Sequence, residues 1–163
     1  MNMTSDKTRL EAWALFLEAH ARLVQTLEAE LEAETGLPLT WYDVLAQLSA
    51  APEGRLRMSD LYQSLLLSKS GLTRRIDRMV EVGLVERKGC PGDRRGVFAV
   101  LTPKGREILR AAAPLHCAGV ERHFGEHIDE TELATFRRVL TKIIADLGDG
   151  AERQCESALD EGA

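Results

Sequence analysis

The stretch Arg87–Gly96, RKGCPGDRRG, constrains the fold more than any other part of this 163-residue chain. It sets four bases, one acid, three glycines and a proline between the apolar runs GLVE and VFAVLT. Pro91 followed by Gly92 suits a tight turn, and the glycines let backbone approach backbone. In GVFAVL, Val97, Ala99 and Leu101 alternate with Phe98 and Val100, the period of a strand. LVERK and GVFAVL are therefore expected to pair as a long hairpin with a positively charged tip.

The segments before the hairpin carry helical spacing. Leu10, Trp13, Leu17, Val24, Leu27 and Leu31 form a stripe over Thr8 to Glu34, with no Pro or Gly before Gly36. A second helix is expected after Pro38, capped by Thr40 with Asp43 three residues on, and ended by Pro52. Ser59 is the expected cap of a short helix over Asp60 to Leu66, with Leu61, Leu65 and Leu66 inward. A turn near Leu67 and Ser68 leads to a further helix. Leu72, Ile76, Met79 and Val80 share one face of it, Arg74, Arg75 and Arg78 lie on others, and Gly83 stops it. Two short helices joined by a tight turn, the second with basic outer positions, make a helix-turn-helix.

After the hairpin, Thr102 and Pro103 read as N-cap and first residue of a helix running to about Phe124, with a kink at Pro114. Asp129 with Glu132 caps a last helix whose stripe is Leu133, Phe136, Leu140, Ile143, Ile144 and Leu147. That helix is expected to stop at Gly148, leaving a polar, frayed tail. The order helix, helix-turn-helix, hairpin, helices is that of a winged helix with flanking helices.

Charge is segregated along the chain. The net charge is −5, yet Lys69–Arg95 holds eight bases against four acids, a local charge of +4 that leaves −9 elsewhere. A compact basic segment in an acidic protein points to a local anionic partner. An arginine-bearing helix can enter the major groove of DNA, and a basic hairpin beside it can reach the minor groove or the phosphates. The N-terminus, MNMTSDKTRLEAW, lacks an apolar leader and no run of eighteen apolar residues exists, so a cytoplasmic protein off the membrane is expected. Cys90, Cys117 and Cys155 are odd in number and widely spaced, which is no disulfide framework. No GxGxxG, P-loop, GxSxG or HExxH motif is present, so no enzyme and no cofactor are expected.

The run SKSGLTRRIDRMVEVGLVERKGCPGDRRGVFAVLTPKG, Ser68 to Gly105, resembles the multiple-antibiotic-resistance regulator (MarR) family of winged-helix transcription factors. The elements ID-x-M-x-x-x-GLVER, the D-x-R of Asp93 and Arg95, and LTPKG carry the resemblance. It implies a mainly α fold: a winged helix-turn-helix with a small two-stranded antiparallel wing and N- and C-terminal dimerisation helices. One regulator protomer would span 1–163, with dimerisation helices at 8–34 and 104–147, a DNA-binding lobe at 40–102 and a polar tail at 148–163. The homodimer would repress from a pseudo-palindromic double-stranded operator and leave it on binding a small, often aromatic, effector. Ser68, Ser70, Thr73, Arg74 and Arg78 would fall on the recognition helix. Arg95 would be the wing-tip minor-groove residue, Arg94 a phosphate contact, and Asp93 would hold the wing through a nearby arginine.

Three further groups are candidates. Trp13, Phe16, His20, Trp41, Tyr42 and His116 fall where the resemblance puts an effector cleft, and rings with a few polar handles suit an aromatic ligand; packing is the competing reading. Cys90, among Arg87, Lys88, Arg94 and Arg95, has surroundings that favour a thiolate and could respond to oxidation. The family's peroxide sensors, however, use a cysteine in the first helix, which this chain lacks. His123 and His127, with His116 and Cys117 two turns earlier, have ligand chemistry, but Gly125 weakens the helix between the histidines and no metal is expected. A winged helix that binds an acidic protein partner is the other non-enzymatic reading, and a salt series separates it from DNA binding.

Overall fold

The structure, a computed structural model, describes residues 3–65, 69–90 and 93–160. Helix α1 is Met3–Thr35, α2 Leu39–Ala50, α3 Met58–Ser64, α4 Lys69–Glu81, α5 Pro103–His123 and α6 Glu130–Asp160; the strands are β1 Arg55–Arg57, β2 Val85–Cys90 and β3 Asp93–Leu101. The chain divides into two compact units, Met1–Val120 and Glu121–Ala163.

The first unit is built on one core. Leu31 of α1, Val44, Leu45 and Leu48 of α2, Leu61 of α3, Leu72, Ile76 and Met79 of α4, and Ala99 of β3 are buried together. The helical spacing of 72, 76 and 79 turns one face of α4 inward, so its opposite face must meet solvent. Val80, expected inward, is 37% exposed and lies at the edge of that stripe. Leu66 and the turn at Leu67 and Ser68 lie outside the described residues.

The sheet has three strands in the order β1-β3-β2, both pairs antiparallel, where the sequence pointed to two. The added strand, Arg-Leu-Arg, is too short and too charged to stand out, and pairs Leu56 with Ala99. It also corrects a cap. Pairing carries the chain in extended form up to Arg57, so α3 opens at Met58 and the Ser59 hydroxyl turns to Asp60 Oδ1. In α2 the Pro38 carbonyl already accepts from Trp41 and Tyr42, with no side-chain cap, because Leu39 is buried and the helix starts there; Thr40 lies inside the first turn.

The ends of the helices follow local chemistry. α1 begins at Met3, before the apolar stripe. Asp129 Oδ1 accepts from the backbone N–H of Thr131 and Glu132, and Glu132 Oε2 accepts from Asp129 N–H, the reciprocal box expected there. α5 continues as helix through Pro114. α6 does not stop at Gly148 but runs to Asp160. A helix glycine costs only about 1 kcal/mol relative to alanine, and no proline follows to end the helix.

One joint sets where α4, the hairpin and α5 meet. Gly83, at φ 78°, ends α4 with its N–H on the Val80 carbonyl, and Leu84 N–H reaches back to Met79. This double closure needs a left-handed residue, which glycine adopts without penalty. The buried Thr102 hydroxyl donates to the carbonyls of Gly83 and Leu84 at 2.8 and 3.0 Å and accepts from Gly105 N–H at 2.9 Å. Lys104 Nζ donates to the Val82 carbonyl at 2.8 Å, a cation at the end of α4. A Cβ at Gly105 would overlap the Leu84 carbonyl oxygen, so α5 can approach this closely only at a glycine.

Gly105→Ala is therefore expected to destabilise the protein by about 2 kcal/mol or more, since backbone must move. Thr102→Val keeps the shape and removes the cap and the buried hydrogen bonds, an expected loss of about 1–3 kcal/mol. Urea melts of each variant check both figures; wild-type midpoints would contradict this account of the joint.

Candidate nucleic-acid interface

Helix α4 and the β2–β3 hairpin present the basic segment. Arg74 and Arg78, one turn apart, are exposed on the side of α4 away from Leu72, Ile76 and Met79, and Thr73 is exposed beside them. Ser70 lies one turn before Arg74, placed by its backbone; Ser68 lies outside the described residues. The structure thus brings Ser70, Thr73, Arg74 and Arg78 to one side of the N-terminal and middle turns of α4.

The hairpin is longer than its apolar core suggests. β3 begins at Asp93, so Asp93, Arg94 and Arg95 stand on the strand itself, and Cys90 pairs with Asp93 across the tip with a register shift between Gly89 and Cys90. These four residues are placed by their backbones, while Pro91 and Gly92 lie outside the described residues. Side chains alternate across the sheet. Arg57, Phe98 and Lys88 are in register on one face, and the guanidinium groups of Arg55 and Arg57 lie 5.2 and 5.7 Å from the centre of the Phe98 ring. Arg87 is on the other face: its Nη1 is 2.9 Å from Asp77 Oδ1 on α4.

The aromatic candidates form two groups. Trp13, Phe16 and His20 stack in a row along α1, with ring centres 5.9 and 6.4 Å apart, and Trp13 is 56% exposed. Trp41 packs against the core from α2. Tyr42, buried on α2, meets the His116 ring of α5 at 4.4 Å. His116 Nδ1 and Arg75 Nη1 are buried without a hydrogen-bond partner among the described residues. Both groups act electrostatically on Asp43, so α2, α4 and α5 converge on a small polar cluster. Arg75 was not singled out as a site residue in the sequence. The signal was its place one step off the outer face, next to the buried Ile76.

Partial desolvation pushes the Asp43 carboxyl above its ordinary 3.8, against the opposing pull of His116 and Arg75, although the residue as a whole is exposed. Burial holds the His116 imidazole below its ordinary 6.5, partly offset by Asp43. Tyr42 is raised by burial, then by Cys117 and Asp43. Cys117 itself is a free, exposed thiol. Gly125–His127 form a 3-10 turn, so His123 and His127 do not continue one α-helix, and no metal-holding cluster of His, Cys, Asp or Glu occurs among the described residues.

The sign of the His116 effect can be tested. Its imidazole takes a proton more readily unfolded than folded, so the stability it lends is present above about pH 6.5 and lost as pH falls toward its folded value. Urea midpoints compared between pH 7.5 and 5.5 should therefore fall further in the wild type than in His116→Gln. Equal falls would mean that His116 is not held neutral by burial.

Known proteins resemble this chain in sequence and fold. A model of the MarR family matches residues 35–96. The multiple antibiotic resistance protein MarR of Salmonella typhimurium is 30% identical over 105 residues, 64% of this chain and 72% of that protein. Two solved structures from Streptomyces coelicolor align over most of both chains. AbsC, a MarR family transcriptional regulator, is 39% identical over 87% of this chain and 95% of its own, with a TM-score of 0.81. Sco3205, a MarR family transcriptional regulator solved in complex with DNA, is 30% identical over 85% and 90%, with a TM-score of 0.80. With its helix-turn-helix, its wing and the joint at LTPKG, this chain belongs to the MarR family of transcriptional regulators, not to a class of enzymes.

Proposed function

We propose that the protein is a sequence-specific regulator that reads double-stranded operator DNA with α4 and the hairpin. The observation that carries this reading is the pair Arg74 and Arg78, exposed one turn apart beside a strand bearing Arg94 and Arg95. Arginines spaced by a helical turn can meet successive base edges or phosphates in the major groove. Arg95 enters the adjacent minor groove, Arg94 contacts a phosphate, and Asp93 supports the hairpin. The DNA complex of Sco3205 supports the same use of the fold.

The regulator acts as a cytoplasmic homodimer, with the helices at 8–34 and 104–147 as its dimerisation elements and 40–102 as its DNA-binding lobe. Support comes from apolar surface that each unit leaves uncovered. On α1, Leu10, Trp13 and Leu17 are exposed; on α6, Ile143, Ile144 and Leu147 are exposed, the last at 71%. Contiguous apolar stripes of this kind mark association surfaces. No helix among the described residues is long and apolar enough to cross a membrane. The protein represses, and a small effector releases it. The aromatic row on α1 and, separately, the unpartnered Arg75 Nη1 and the His116 ring against Tyr42 offer chemistry suited to an aromatic anion.

Fluorescence anisotropy on DNA from upstream of the protein's own gene, against scrambled duplex, tests the main reading. Affinity for the native fragment should fall by ~10³-fold or more from about 50 to 200 mM salt if about six phosphates are contacted. Equal weak binding to both duplexes would point instead to a protein partner. Arg95→Ala should weaken operator binding by about 1–3 kcal/mol with the fold intact, and wild-type affinity would remove Arg95 from the interface. Leu17→Glu and Ile144→Glu should each shift the sedimentation mass from dimer toward monomer, and an undisturbed dimer in both would place the interface elsewhere.

A further inference from the structure

Arg87 differs from the other bases of the hairpin. It shares its sheet face with Val85 and Ala99, both buried, while Lys88 is on the opposite face and pairs with Glu86 of its own strand at 3.2 Å. From that inner face the Arg87 guanidinium crosses to α4. Nη1 is 2.9 Å from Asp77 Oδ1, and Nη2 is 3.5 Å from the Thr73 carbonyl oxygen, the long limit of a hydrogen bond. Thr73 and Asp77 are one helical turn apart, so the planar fork lies along the helix on the turn that carries Arg74.

Asp77 raises a question of its own. It is a half-exposed acid between Arg74 and Arg78, on a surface meant to meet phosphates. A carboxylate there opposes DNA binding by simple repulsion. Its pairing with Arg87 supplies a reason for it, because that pair adds a polar link between two elements whose buried sides already share the core.

We propose that Arg87 is a positioning residue of the DNA-binding surface: clamped to Asp77 and the Thr73 carbonyl, it fixes the hairpin against α4 and is not itself a phosphate contact. The inference rests on the DNA-binding reading above. The clamp sets the angle at which hairpin tip and recognition helix meet one duplex. A free hairpin would have to be ordered on every encounter, at a cost in affinity.

Asp77→Asn decides the matter by its sign. Removing an acid from a DNA-facing surface strengthens binding if repulsion alone acts. Losing the clamp weakens it, by an expected three- to tenfold or so, with the salt slope unchanged. Arg87→Gln should cost about as much, and the double variant no more than either single one, since both remove the same interaction. Circular dichroism melts show that the variants fold. Asp77→Asn binding as tightly as wild type, or tighter, overturns the proposal. So does a drop of about one in the salt slope of Arg87→Gln alone, which would mark Arg87 as a phosphate contact. If the wild type binds no duplex, the DNA reading fails by itself, and the clamp is judged in the free protein. There 15N relaxation of the β2 and β3 amides should show added microsecond–millisecond motion in Asp77→Asn, and unchanged relaxation overturns the clamp.

Discussion

The hydroxyl of Thr102 is the point on which the functional half of the molecule turns. It caps α5, ties the last carbonyls of the α4 turn, and sits where β3 ends. Three elements that share the core also meet at one buried side chain and at the absence of another at Gly105. The exposed arginines of α4 take their relation to the hairpin from the shared core, from this joint and from the Asp77–Arg87 pair. The joint fixes where the hairpin begins, and the ion pair acts halfway along it.

Much of this arrangement was legible in the residues. Leu72, Ile76 and Met79 announced the inner face of α4 by spacing alone, Gly83 its end, and Asp129 with Glu132 the start of α6. What stayed hidden depended on partners far away in sequence. Strand β1 exists because β3 offers it an edge, and three residues carry no period of their own. Thr40 and Ser59 are good capping types, but buried Leu39 and the pairing of Arg57 moved both helix starts upstream. Gly148 looked like a stop, yet a glycine without a following proline only weakens a helix. Of the candidate site, the outer arginines were readable from helix geometry. Arg75 and Arg87 were not, because their roles are set by which element packs beside them.

The two sets of charges also differ in kind. Arg74 and Arg78 stand in solvent, where charge is inexpensive and available to a partner. Arg75 Nη1 and His116 Nδ1, on side chains that both act on Asp43, are buried without a partner among the described residues, which costs stability unless something completes them. Arg75 belongs to α4, the helix that bears Arg74 and Arg78, so the proposed effector would act on that helix.

A dimethyl sulfate footprint of the full chain on its operator, which reads guanine N7 in the major groove and adenine N3 in the minor groove, tests the central claim most directly, that α4 and the hairpin read DNA as one rigid unit. The account predicts, in each half-site, a protected major-groove tract flanked by protection of the adjacent minor groove, with half-site centres separated by whole helical turns of about 10 bp. Protection of the major groove alone, or of no tract at all, would contradict it.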